Sequence, residues 1–409
     1  MRRTKLGRAE PATTCPERII FPGIASANYF SAHEGKREAT HSPMKEIRRI
    51  LTRYAARTSG ERLALATVVR VEGSSYRRVG ARMLVSSRGD WVGGISGGCL
   101  EGDALRRAQA AIHGSQASII TYDTRDDDAH QIGVGLGCNG VIDVRFTPLT
   151  DNHNPLDVLA RHVATRTPQL LVQVIGHDAT DPRLYERADL LDLATRLRLD
   201  ASELNKLAAG VLAGASSRTY ELTPTSGGTV RLLFECLRPE MRLFVAGNNY
   251  DVTALGGLAT QLGWELHLIG TPRKVPGALF ALASSITTYE RVGQLRPDAY
   301  TAVLLMTHDY RRDVALLRHF LAEPPVYLGI LGPRKRTRKL SDELGLSLLR
   351  NDQIHSPVGL DIGAESPEEI GLAILAEILA VFRARDARPL RERDGPIHVS
   401  LVDPTEAPP

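Results

Sequence analysis

From Met241 to about Arg383 short apolar runs alternate with amphipathic stretches, and this alternation restricts the possible folds more than any other feature of the chain. Arg242-Leu243-Phe244-Val245-Ala246-Gly247 reads as a strand running into a glycine. Val252 to Leu262 has helical periodicity and is stopped by Gly263, and Glu265 to Ile269 reads as the next strand. Further strands are expected at Ala302 to Met306 and Val326 to Leu331. A final helix opens on a capping box: Ser366 as N-cap, Pro367 in the first turn and Glu369 reaching back. It should run to about Arg383 with Ile370, Ile374, Ile378 and Leu379 inward. Strands and helices in alternation imply a doubly wound parallel sheet, with ligands at the carboxyl ends of its strands.

The remainder follows a different pattern. With 409 residues, two or three folded units are expected. Met44 to Thr58 forms an amphipathic helix with Ile47, Ile50, Leu51, Tyr54 and Ala55 on one stripe. Strands are expected at Leu63 to Val71, Ala81 to Ser87, Ala117 to Asp123 and Val141 to Pro148, with a helix from Ala104 to His113. These make an N-terminal α+β domain. Leu170 to Ile175 reads as a strand, Ala188 to Arg198 as a helix, and Tyr220 to Glu235 as a hairpin with Cys236 as a small core residue. The domain boundaries are therefore 44–150, an extension at 151–238, the doubly wound domain at 239–385, and a flexible tail at 386–409. Residues 1–43 lack periodicity and read either as a disordered leader or as sequence upstream of a true start at Met44.

Two glycine-embedded cysteines carry the chemistry. In Gly93-Gly94-Ile95-Ser96-Gly97-Gly98-Cys99, four of the first six residues are glycine, and the cysteine comes at the expected start of a helix. Such glycines let backbone N–H groups turn toward an anion, and a helix dipole favours the thiolate of Cys99. Gly135-Leu136-Gly137-Cys138-Asn139-Gly140 repeats the arrangement, although the same residues also suit a tight turn before a strand. Together they suggest a polar ligand bearing phosphate or sulfur. Arg77 and Arg82 are suitable phosphate donors, and so are Arg334 and Arg336 ahead of a probable helix. Glu101 and Asp103 read as first-turn charges that balance the helix dipole, and His308 follows a strand end.

Composition excludes several classes. The net charge of +4 is mild and spread along the chain, and aromatics make up 5%, so no nucleic-acid surface is expected. Four cysteines without a CxxC pair form neither a disulfide framework nor a structural zinc site. No apolar run approaches the roughly 20 residues that span a bilayer. A soluble, cytoplasmic protein is expected.

Taken together, the motifs resemble the XdhC/CoxI family. The matching segments are Gly73-Ser74-Ser75-Tyr76-Arg77-Arg78, Gly94 to Asp103 and Gly135 to Gly140, then Met306-Thr307-His308-Asp309-Tyr310, Leu331 to Thr337 and Pro357 to Glu365. They occur in the family's order and span about 45–384. The resemblance implies an accessory protein that binds the molybdenum cofactor (molybdopterin). It would support cofactor sulfuration by a cysteine desulfurase and insertion into xanthine dehydrogenase or a related molybdenum hydroxylase. It further implies that Cys99 contacts molybdenum, that Ser96, Gly97, Gly98, Cys138, Gly137 and Asn139 line the cofactor with Arg77 and Arg82, and that a homodimer is a candidate assembly.

The Rossmann-like C-terminal domain departs from the dinucleotide pattern, which needs G-x-G-x-x-G and an acidic residue after the second strand. The turn is Gly247-Asn248-Asn249-Tyr250-Asp251, and Gly270-Thr271-Pro272-Arg273 follows the second strand. Relatives commonly show Gly-Ala-Gly-His and Asp-Pro-Arg at these places. Asn248 or Asn249 could take a glycine's left-handed conformation, and Arg273 would favour a 2′-phosphate. The alternative function is therefore an NADP-dependent oxidoreductase, with Gly247, Asn248, Arg273, Arg334 and Arg336 around the nucleotide and His308 as proton donor.

Overall fold

The computed structural model describes residues 43–73, 75–123, 125, 140–150, 154–175 and 183–393, which form three β-sheets. The first contains β1 (Leu63–Gly73), β2 (Arg82–Ser86), β3 (Trp91–Gly93), β4 (Ser118–Asp123) and β5 (Gly140–Pro148), in the antiparallel order β3-β2-β1-β5-β4. Helix α1 (Pro43–Ala55) precedes it, and α2 (Glu101–Gly114) lies between β3 and β4. Small residues on one side of β1, Ala64 and Ala66, let α2 pack closely through Ala104 and Ala108.

Leu63 and Leu65 alternate to the opposite side of β1 and meet a second sheet. After α3 (Pro155–His162) come β6 (Gln169–Ile175), β7 (Tyr185–Glu186), α4 (Leu190–Leu197), α5 (Ala201–Ala213), β8 (Arg218–Leu222) and β9 (Val230–Leu237), with sheet order β7-β6-β9-β8. Leu171 and Leu237 face the first sheet, whereas Leu170, Val172, Leu232 and Phe234 face α4 and α5. The result is four layers: helix, sheet, sheet, helices. Helix α5, not anticipated from the sequence, is needed to cover the second sheet's outer side through Leu204, Ala208 and Val211.

A buried ion pair joins the two sheets. Arg82 on β2 is 1% exposed and grips Glu235 on β9 with both terminal nitrogens, at 2.8 and 2.6 Å. Its Nη1 also donates to the Gly80 carbonyl at 2.7 Å, and its backbone N–H donates to Glu46 of α1 at 2.9 Å. Gly80 has φ +88°, and a Cβ there would stand 2.5 Å from a Glu235 carboxylate oxygen.

The third sheet is parallel, with order β12-β11-β10-β13-β14-β15. In chain order its elements are β10 (Arg242–Ala246), α6 (Tyr250–Leu262), β11 (Glu265–Ile269), α7 (Gly277–Leu282), β12 (Ala283–Thr287), β13 (Thr301–Leu305), α8 (Tyr310–Ala322), β14 (Tyr327–Ile330), α9 (Arg334–Leu344), β15 (Ile354–His355) and α10 (Pro367–Phe382). This is the doubly wound order, reversing between β10 and β13. Helices α6 and α10 cover one face, and α8 and α9 cover the other. The Ser366–Glu369 capping box and Pro367 open α10, with Ile374 and Ile378 fully buried. Leu379 differs from expectation: it is 40% exposed, because the end of α10 borders a cleft.

Helix α1 ties the N-terminal sheets to this domain. Arg48 bridges Glu240 at 2.8 Å and Glu265 at 3.1 Å, while Lys45 donates to the Gln261 carbonyl at 2.7 Å. Burial lifts the Glu240 carboxyl to about 7 against the pull of Arg48. Burial also pushes Glu265 up, but bonds from His267 and Arg242, with the Arg48 charge, outweigh it and bring that group to about 2.

These contacts make stability testable at two places. Glu235→Ala leaves Arg82 buried without a counter-ion and should cost about 3 to 5 kcal/mol, while the paired change Arg82→Met with Glu235→Leu should recover most of that loss. Denaturant midpoints of the parent and the two variants check this; equal losses for the single and double variants would contradict it. For Glu240, the unfolded chain releases its proton near 4.5 but the folded chain holds it to about 7. Its contribution is therefore full below 4.5 and is lost as pH rises through 7, by on the order of 3 kcal/mol. Unfolding free energies measured across that interval should decline less steeply in Glu240→Gln than in the parent, and matching slopes would exclude Glu240 as the source.

Candidate functional site

The Cys99 loop is held by one carboxylate. Glu101 accepts from the backbone N–H groups of Ile95 at 3.2 Å and Ser96 at 2.8 Å, and takes the Ser96 hydroxyl as well. The Ser96 oxygen in turn accepts from the N–H groups of Gly98 and Leu100, both at 3.1 Å. Ile95 is fully buried beneath. Gly97 lies against the ring of Tyr76, where a Cβ would stand 3.3 Å from the ring, and Gly98 lies in the left-handed region at φ +114°. Cys99 is exposed as a free thiol. The helix has Leu100 as N-cap and Glu101 as its first residue, ahead of the expected start at Ala104, and Cys99 precedes it rather than lying in its first turn.

The charges flanking this loop have structural partners. Glu101 does more than balance a dipole, because it shapes the loop. Asp103 is buried and accepts from Tyr122 at 2.9 Å, Arg106 at 3.0 Å and Arg107 at 3.3 Å. Burial pushes the Asp103 carboxyl up, but these bonds prevail and hold it below its ordinary value. Arg77 is bonded to Glu46, and Arg82 is committed to Glu235. Both arginines suggested as phosphate donors are therefore already engaged with carboxylates of the protein. Arg78, between Tyr76 and the buried network, faces a cleft instead. Gly137, Cys138 and Asn139 lie outside the described residues. Tyr76 belongs to the Gly73–Arg78 segment but was not among the expected site residues; its ring lies against Gly97, and an aromatic residue before two arginines was the available signal.

At the switch point of the parallel sheet, Gly247 ends β10 with φ +143°, and a Cβ would meet the Met306 carbonyl oxygen at 2.5 Å. Only glycine fits there. The asparagines do not take over a left-handed position: Asn249 is extended and caps α6 by accepting from Val252, and Asn248 donates to the Lys274 carbonyl at 2.6 Å. His308 is the residue that adopts positive φ, at 54°. Its Nε2 stands 3.7 Å from Asp251 in the first turn of α6. A carboxylate thus occupies the helix end where a pyrophosphate would need positive potential. Arg273 is exposed beyond β11. Arg334 is exposed at the start of α9, but Arg336 bonds the buried Asp313 at 2.6 Å. Among the described residues no group of three or more His, Cys, Asp and Glu side chains is arranged to hold a metal ion, and no helix is long and apolar enough to cross a membrane.

Comparison with known proteins agrees with this division of the chain. Residues 56–123 match the model of the XdhC and CoxI family, and residues 243–378 match that of the XdhC Rossmann domain. A probable xanthine dehydrogenase subunit of Bacillus subtilis (strain 168) is 28% identical over 335 residues, covering 78% of this chain and 93% of its own length. The molybdenum cofactor insertion chaperone PaoD of Escherichia coli (strain K12) is 26% identical over 355 residues, covering 85% and 93%. The crystal structure of a xanthine dehydrogenase from Bacillus halodurans superposes with a TM-score of 0.64 at 25% identity, covering 86% of this chain and 99% of that one. Both models match in order, and the C-terminal match has doubly wound topology, so over these two segments the chain is similar to the XdhC/CoxI family.

Proposed function

We propose that this protein is an accessory factor that binds the molybdenum cofactor, supports its sulfuration by a cysteine desulfurase, and assists its insertion into xanthine dehydrogenase or a related molybdenum hydroxylase in the cytoplasm. The observation that carries the reading is the Cys99 loop. Glu101 and Ser96 fix a glycine-lined turn and leave a free thiol at its exposed apex. A thiolate is a suitable soft partner for molybdenum, and the surrounding glycines permit close approach of a bulky cargo. Ser96, Gly97 and Gly98 would border that cargo, with Cys138, Gly137 and Asn139 contributing from the second loop. The relatives named for xanthine dehydrogenase and for cofactor insertion support the same role.

The alternative, an NADP-dependent oxidoreductase built on Gly247, Asn248, Arg273 and His308, is weakened by Asp251. Its carboxylate stands at the end of α6 nearest the expected phosphates and pairs with the histidine that would serve as proton donor.

Protein purified from a molybdenum-replete host should release a fluorescent pterin on oxidation. Cys99→Ser should lose most of that pterin while keeping its melting temperature; equal pterin in parent and variant would overturn the assignment of Cys99. Glu101→Ala, which frees the loop without touching the thiol, should lower pterin content as well. Calorimetric titration with NAD, NADP and pyrophosphate should give weak binding, which Asp251→Asn strengthens by relieving repulsion. Tight NADP binding by the parent protein, abolished by Arg273→Ala, would favour the oxidoreductase.

A further inference from the structure

A second feature lies where the three sheets meet: a cleft of about 1100 Å³ whose walls come from β1, the residues before β2, both ends of the β8–β9 hairpin and the end of α10. Its charges are unbalanced. Of the carboxylates that line it, Glu72 is bonded to Arg70 and Glu221 to Arg231. Arg78, Arg238 and Arg383 also line it, and among the described residues none of the three has a carboxylate partner. Arg238 donates to the Ala215 carbonyl, which fixes its direction without neutralising it. Arg78 and Arg383 are exposed at the cleft, yet its walls partly desolvate both and lower their pKa, and in Arg383 repulsion from Arg238 adds to the effect. Arg238 and Arg383, close enough to repel each other and without counter-ions, are stabilised by an incoming anion, and Arg78 adds a third cation to the same cleft.

The cleft also offers flat apolar surface. Tyr220, Tyr300 and Phe382 line it, each half-buried, and Trp264 closes its floor at 7% exposure. Aromatic walls beside guanidinium groups suit a planar ring system joined to a phosphate, since rings stack on the former and phosphate oxygens bond the latter. The volume is ample for such a molecule.

We propose that this cleft binds a phosphate ester of a planar heterocycle, with Arg78, Arg238 and Arg383 on the phosphate and Tyr220, Tyr300 and Phe382 against the ring. The inference does not depend on the cofactor reading of the Cys99 loop, whose test is pterin retained through purification. A pterin phosphate and a purine nucleotide share this chemistry, and direct titration separates them. Calorimetry on the full chain would use neopterin monophosphate, guanosine monophosphate and neopterin without phosphate. At least one of the esters should bind saturably, at least about tenfold more tightly than neopterin, because charge-assisted bonds are lost with the phosphate. Tighter binding of neopterin monophosphate assigns the site to pterins; tighter binding of guanosine monophosphate assigns it to nucleotides. Arg238→Ala with Arg383→Ala should weaken the ester about tenfold or more with an unchanged melting temperature, and Arg78→Ala should do so singly. Absence of saturable binding by both esters, or binding that survives in the double variant, would overturn the proposal.

Discussion

The two N-terminal sheets depend on a charged bond in a place where charges are costly. Arg82 and Glu235 are almost wholly removed from water, so each is tolerable only because the other is present and correctly oriented. Two parallel hydrogen bonds fix the approach of β2 to β9, and Gly80 supplies the space that their geometry requires. Leucines at the same interface contribute area without direction. The ion pair therefore sets which part of one sheet lies over which part of the other. Every residue of the cleft that comes from these two sheets inherits its position from that alignment.

At the other boundary the logic changes. Arg48 contacts two carboxylates that respond in opposite ways: Glu240 is driven toward its neutral form, and Glu265 is held firmly ionised. Glu265 has two cationic neighbours in Arg48 and Arg242 and a further bond from His267, whereas Glu240 lies deeper and shares its cation. A domain contact of this kind responds to pH.

Much of the architecture was legible because it obeys local rules. The capping box at Ser366 and the helix stop at Gly263 depend on a few adjacent residues and appear where expected. The edge strands β3, β7, β12 and β15 and the outer helix α5 were not legible, since their formation depends on a neighbouring sheet already being in place. Residues of the candidate site divide in the same way. Cys99 stood out because glycine clusters announce themselves. Yet no spacing rule separates an arginine free to meet a phosphate from one committed to a buried carboxylate, and Arg77, Arg82 and Arg336 belong to the committed kind. Their partners Glu46, Glu235 and Asp313 lie 31, 153 and 23 residues away in the chain, beyond what local pattern can relate.

Tyr76, Arg77 and Arg78 are consecutive, yet they face the glycine loop, helix α1 and the arginine-lined cleft in turn. Three neighbours with three separate obligations leave this stretch little freedom to drift. A single inserted or deleted residue would send each side chain to the wrong partner at once, so length should be guarded here more strictly than identity. Substitutions that keep an aromatic ring followed by two long cations could pass, while a change of one residue in length would disable loop, helix contact and cleft together.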